Sequence, residues 1–207
     1  MKIKVCGMRD AQNIRAVEAL GIDMMGFICW PKSSRNVTER PFYLPQCQRV
    51  GVFVDPTVEY VEQKVQMLQL DRIQLHGHES QNFCREVHQH TGLPITKAIS
   101  VADELDLENW HEYAWEKAVD LFLFDTKCPT AGGSGTQFDW QMLQLYDGHK
   151  PFLLAGGIGP GCEEQVLAFR HPKCIGIDLN SRFETSPALK DTVKLQTFIN
   201  NIKVNSK

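Results

Sequence analysis

The sequence predicts an α/β fold, a single-domain (β/α)8 TIM barrel spanning residues 1–207, on three observations. Eight short apolar runs alternate with longer amphipathic stretches along the chain. The runs are apolar on both faces, as strands must be when helices cover a parallel sheet. The length of 207 residues is close to the minimum of about 200 for eight such units and leaves little for a second domain. The rival, a doubly wound open sheet, would carry G-x-G-x-x-G after its first strand. Here that strand ends in Cys6-Gly7-Met8-Arg9-Asp10, with one glycine, and the later GSG and GIG stretches lack the rest of the pattern.

The elements follow in order. Ile3 to Cys6 is the first strand. Asp10 is placed to cap a helix whose Ile14, Val17 and Leu20 form one stripe. Ile22 to Cys29 is the second strand, followed by a loop and a short helix at 38–46. Gln48 to Val54 is the third, stopped by Asp55-Pro56, with a helix from Thr57 to Leu68. Arg72 to Leu75 is the fourth, followed by a helix from Ser80 to His90. Leu93 to Ile99 is the fifth, with Pro94 tolerated near its start. A polar helix over 103–117 carries Leu105, Trp110 and Trp115. Val119 to Phe124 is the sixth strand and the most continuous apolar run. A short helix from Phe138 to Tyr146 precedes the seventh, Phe152 to Ala155. Gly-Gly-Ile-Gly-Pro-Gly then leads into another helix. Cys174 to Asp178 is the eighth strand, and a helix from Ala188 to Val204 closes the chain.

Composition excludes several partners. Lys plus Arg is 22 and Asp plus Glu 25, a formal net charge of -3, so no broad attraction to nucleic acid or to an anionic membrane is expected. No apolar stretch approaches the length of a membrane span. Polar residues break the N-terminal apolar run too early for a signal peptide. Seven cysteines without a C-x-x-C pair favour a reducing compartment, and the protein is expected in the cytoplasm. The pairs His76/His78 and His88/His90 lack further ligands at a recognised spacing, so no metal is expected.

A barrel builds its site from the C-terminal ends of its strands and the loops that follow. Those ends carry Cys6-Gly7, the Lys32 to Arg35 loop, Asp55, His76-Gly77, Ser100, Asp125, Gly156-Gly157, and Asp178 with Ser181. Asp125 and Asp178 end strongly apolar strands, at the edge of a low-dielectric interior that disfavours their charged form. Each is equally readable as a capping or loop-closing residue. Cys6 is either a small buried hydrophobe or, given its place at the end of a barrel strand, part of the chemistry. Strand parity puts Lys4 on the same face as Cys6, where it would lend positive charge, unless it snorkels to the bottom rim. Glycine turns after strands seven and eight offer backbone amides to a phosphate. They are also readable as plain tight turns.

The residues then carry a resemblance. KVCG at 4–7, PKSSR at 31–35, GVF at 51–53, QLHG at 74–77, DTK at 125–127, GGSGTQFDW at 132–140, LAGGI at 154–158, IDLNSRFE at 177–184 and LKD at 189–191 occur in this order. In this set and order the chain resembles the phosphoribosylanthranilate isomerases of tryptophan biosynthesis over nearly its whole length. KVCG with GGSGTQFDW is specific, whereas GVF or LAGG alone is weak. The resemblance implies a cofactor-free and metal-free Amadori rearrangement of a small phosphorylated substrate. It implies Cys6 as general base and Asp125 as general acid. It implies Arg35, Asp178, Gln74 and His76 as substrate contacts, and Gly156, Gly157, Ser181 and Arg182 around the phosphate. A monomer is the expected state, with a homodimer as the alternative.

The match has departures. The family reads S-G-V-E where this chain has Ser181-Arg182-Phe183-Glu184, and a further usual glycine is Ala188. An arginine is strained if its backbone needs φ > 0, but its side chain could reach the phosphate. Competing readings are an indole-glycerol-phosphate synthase, which wants a lysine and glutamate set absent here, and a histidine-pathway isomerase, which wants aspartates where Cys6 and Ser100 stand. A third is a catalytically silent barrel, favoured if Arg182 or Phe183 blocks the pocket.

Overall fold

The computed structural model describes residues 1–126 and 139–204. Eight parallel strands close into a barrel in chain order. They are β1 (Lys2–Val5), β2 (Met24–Ile28), β3 (Gln48–Phe53), β4 (Arg72–Leu75), β5 (Ile95–Val101), β6 (Val119–Thr126), β7 (Phe152–Leu154) and β8 (Cys174–Leu179). The helices are α1 (Ala11–Glu18), α2 (Val58–Leu68), α3 (Gln81–Thr91), α4 (Glu104–Leu107), α5 (Glu163–Ala168) and α6 (Thr192–Val204). A small antiparallel pair, β9 (Glu184–Ser186) and β10 (Leu189–Lys190), follows the eighth strand.

Strand parity sorts the core into two. On β6, Phe122 and Phe124 pack outward with the helix-facing cluster, while Leu121 and Leu123 pack inward with Met24, Val50, Ala98, Leu153 and Ala155. On β1 the outward residues are Ile3 and Val5. Lys4 faces inward and is 1% exposed, so it does not snorkel to the rim. The β1–β8 register sets Lys4 beside Asp178, which gives the inward lysine a counter-charge.

Local signals hold at the helix starts. Asp10 caps α1 by accepting from Asn13 N–H at 2.8 Å, and Thr57 and Ser80 cap α2 and α3 in the same way. Three expected helices differ. Residues 38–46 form turns and loop. Pro45 lacks the N–H that a helix would need, and the segment is held by side chains from elsewhere. Glu18 accepts from Tyr43 Oη and from Gln46 and Cys47 N–H, and Lys64 Nζ donates to Val37 O at 2.8 Å. Within 103–117, α4 passes into a 3-10 turn over Glu108–Tyr113. Its buried residues, Leu107, Trp110 and Tyr113, are spaced by three, the period of a 3-10 helix. The last helix begins at Thr192, because 184–190 folds into the β9–β10 pair. Residues 127–138, including Cys128, most of GGSGTQFDW and the expected helix start at Phe138, lie outside the described residues. Among the described residues no helix is long and apolar enough to cross a membrane.

Candidate active site

Cys6 follows β1 directly, and its N–H donates to Leu179 O at 2.9 Å. It is 4% exposed. Gly26 on β2 makes room for it, since a Cβ there would stand 2.7 Å from Sγ. Burial pushes the Cys6 thiol up; Lys4 and Lys190 pull it back, and Asp178 pushes with burial. The positive charge that Lys4 lends is therefore not enough to lower the thiol, because loss of water outweighs the lysines.

Lys4 Nζ donates to Asp178 Oδ2 at 2.9 Å. Burial raises the Asp178 carboxyl, against the pull of Lys4. Its Oδ1 is buried and has no hydrogen-bond partner among the described residues. The charge of Asp178 bears on Cys6, and Asp178 in turn feels Asp125 and His76.

Asp125 lies near the end of β6, where its side chain is 31% exposed. Oδ1 accepts from Thr126 N–H at 2.8 Å, and Oδ2 lies 3.3 Å from His76 Nε2. Gln74, two residues before His76 on the same strand face, meets His76 Nδ1 at 2.8 Å. The Gln74 Oε1 atom is buried and has no partner among the described residues.

Arg35 reaches the rim from the loop after β2. Its Nε contacts Glu184 Oε1 at 2.9 Å and its Nη2 contacts Oε2 at 2.7 Å. Burial alone would raise the Glu184 carboxyl, but Arg35 and Lys190 hold it below its usual value. Lys190 Nζ, fully enclosed, donates to Glu184 Oε1 at 2.5 Å and Asn180 Oδ1 at 2.9 Å. The Lys190 backbone is clamped by Asn13, whose amide accepts from its N–H and donates to its carbonyl, both at 2.8 Å. Asn13, Asn180, Glu184 and Lys190 had no assigned role from sequence. Asn180, Glu184 and Lys190 stood within the IDLNSRFE and LKD segments and Asn13 in no quoted motif; only the fold shows that they meet.

Gly156 and Gly157 both have φ > 0, at 84° and 70°. A Cβ on Gly156 would stand 2.2 Å from Thr126 Oγ1 and 3.1 Å from Asp125 Oδ1, so this glycine also lets β6 close on the loop after β7. The 3-10 turn Ser181–Phe183 faces that loop, and a Cβ on Gly159 would touch Arg182 Cδ at 2.5 Å. Arg182 has no positive φ and is not strained; the left-handed residue is Ala188, at 67°. Phe183 is buried against Phe198, ring centroids 5.0 Å apart, and does not enter the pocket. Among the described residues no group of three His, Cys, Asp or Glu could hold a metal ion.

A closed parallel barrel with a thiol, two carboxylates and glycine turns on its C-terminal rim defines a barrel enzyme equipped for proton transfer. Comparison with known proteins is more specific. The chain belongs to the family described as N-(5'-phosphoribosyl)anthranilate isomerase, whose sequence profile matches residues 3–201. It is 51% identical over 204 residues to the N-(5'-phosphoribosyl)anthranilate isomerase of Phocaeicola vulgatus, covering 98% of each chain. The structure matches phosphoribosyl anthranilate isomerase from Thermotoga maritima with a TM-score of 0.85 at 30% identity, covering 99% of both chains. It also matches a phosphoribosyl anthranilate isomerase in complex with reduced 1-(o-carboxyphenylamino)-1-deoxyribulose 5-phosphate, with a TM-score of 0.83 at 27% identity and 99% of both chains.

Proposed function

We infer that this chain is an isomerase of tryptophan biosynthesis that converts N-(5'-phosphoribosyl)anthranilate into 1-(2-carboxyphenylamino)-1-deoxyribulose 5-phosphate, with Cys6 as general base and Asp125 as general acid. The observation that carries the assignment is the family match over residues 3–201, together with a closed parallel barrel that places Cys6 just after β1 and Asp125 near the end of β6. The two groups thus share one rim and serve one small substrate.

Asp125 gives a proton to the ribose ring oxygen as the C1–O bond breaks, leaving an iminium between C1 and the anthranilate nitrogen. The iminium acidifies the C2 proton, which the Cys6 thiolate removes to form the enaminol. C1 then gains a proton and the C2 hydroxyl loses one, giving the ketone. The cycle leaves Cys6 protonated and Asp125 ionised, so a proton must be returned from one to the other before the next turnover. Lys4, Lys190 and the cationic iminium each favour the thiolate.

The unpartnered buried oxygens of Asp178 and Gln74 suit sugar hydroxyls, since an orphaned buried acceptor costs about 1–3 kcal/mol until a donor arrives. Arg35 has its Nε and Nη2 on Glu184, so the anthranilate carboxylate meets it from its Nη1 side. Phosphate sits among Gly156, Gly157, Ser181 and Arg182. The test is fluorimetric. Purified protein should consume freshly made N-(5'-phosphoribosyl)anthranilate catalytically, with inorganic phosphate as a competitor. No turnover above the buffer rate would overturn the assignment.

A further inference from the structure

Gln74 and His76 are joined to Asp125 rather than set independently around the pocket. The Q-L-H spacing puts residues 74 and 76 on one strand face. Gln74 is 1% exposed, and its Nε2 donates to His76 Nδ1 at 2.8 Å. With Nδ1 accepting, the imidazole proton resides on Nε2, the atom that lies 3.3 Å from Asp125 Oδ2. Both ring nitrogens thus have protein partners, and neither is left for a substrate hydroxyl.

The ring's backbone is pinned as well. His76 N–H donates to Phe53 O at 2.8 Å. Gly77 N–H donates to Glu79 at 3.0 Å, and Lys97 Nζ donates to Gly77 O at 2.6 Å. Glu79 and Lys97 themselves form an ion pair at 2.8 Å, each 2% exposed. A buried pair clamps the peptide that follows the histidine.

We infer that His76, its tautomer set by Gln74, is a positioning residue for Asp125 that aims the carboxyl at the ring oxygen and donates to the carboxylate as it forms. Thr126 N–H holds Oδ1 and His76 Nε2–H holds Oδ2, so the plane of the group is set by two donors. Those bonds strengthen as the proton leaves, so they act on the transition state more than on the bound substrate. Among the described residues, the other groups that face Asp125 are Asp178 from β8, with Lys4 behind it, and Gly156 from the loop after β7.

The inference rests on the acid role proposed for Asp125. It is tested by steady-state kinetics of His76→Leu, His76→Gln, Gln74→Met and Asp125→Asn, with His76→Leu also combined with Asp125→Asn. His76→Leu should lower kcat by roughly tenfold to a hundredfold, part of the general-acid contribution, with little change in KM. The alkaline limb of kcat, where Asp125 loses its proton, should move to higher pH, because a donor to the ionised form is gone. His76→Gln, whose amide N–H can replace Nε2–H, should recover both. Gln74→Met should move the limb the same way by less, and it keeps the test open if His76→Leu fails to fold. Adding His76→Leu to Asp125→Asn should cost nothing further. A raised KM with unchanged kcat, an unmoved limb, or a full further loss in the double variant would overturn the inference. If Asp125→Asn alone keeps near wild-type kcat, the acid assignment fails instead.

Discussion

The base and the acid sit on one barrel rim in opposite surroundings. Cys6 is 4% exposed and ringed by Lys4, Asp178 and Lys190, whereas the Asp125 side chain is 31% exposed and held by hydrogen bonds from Thr126 and His76. The dry side is governed by charge, because in a low-dielectric setting only nearby cations offset the cost of a thiolate. On the wet side water screens charge, and the protein contributes orientation. Losing a lysine should therefore disturb the base more than losing a donor disturbs the acid's affinity for its proton.

The largest effects test the pair itself. Cys6→Ser and Asp125→Asn should each lower kcat by roughly two to four decades. A Cys6→Ser enzyme with more than about a tenth of wild-type kcat is incompatible with its role as base. Alkylation of the wild type should map to Cys6 by mass spectrometry and be blocked by product.

Next comes the electrostatics of the dry side. Lys190 lowers the thiol that burial raises, so Lys190→Met should raise it further. A base is active only when deprotonated, so the limb over which kcat/KM rises with pH should move to higher pH. Glu184 keeps Arg35 as a partner, which leaves the fold intact. A limb that stays in place would mean that Lys190 serves only Glu184 and Asn180.

A smaller effect is expected where ligand and solvent meet. Arg182→Ala should raise KM roughly tenfold to a hundredfold, the equivalent of one charged hydrogen bond, while kcat changes less. Arg182→Gly should behave like Arg182→Ala, because no positive φ at 182 favours glycine. Unchanged kinetics would show that the side chain covers Gly159 without touching phosphate.

The smallest concerns Ala188, left-handed at φ 67° and 3% exposed. Ala188→Gly should relieve about 1–2 kcal/mol of backbone strain, less the roughly 0.5–1 kcal/mol cost of glycine's freedom. At about 2–4 °C per kcal/mol, a thermal melt should rise slightly, with kcat unchanged.

Much of the barrel was legible because its signals are local. Alternation sent Ile3 and Val5 to the helices and Lys4 and Cys6 inward, and Asp10 announced α1 by its side chain alone. The candidate rim followed, since strand ends are where polar residues interrupt apolar runs. What the sequence could not show is which of those residues meet. Lys4 and Asp178 are 174 positions apart, Asn13 and Lys190 177, and Arg35 and Glu184 149. Those pairings exist only because β8 closes on β1. Closure also decided that 38–46 stays a loop, its backbone taken by Glu18 and Lys64, and that Cys6 loses its water, which sets its protonation more strongly than any neighbour in the chain.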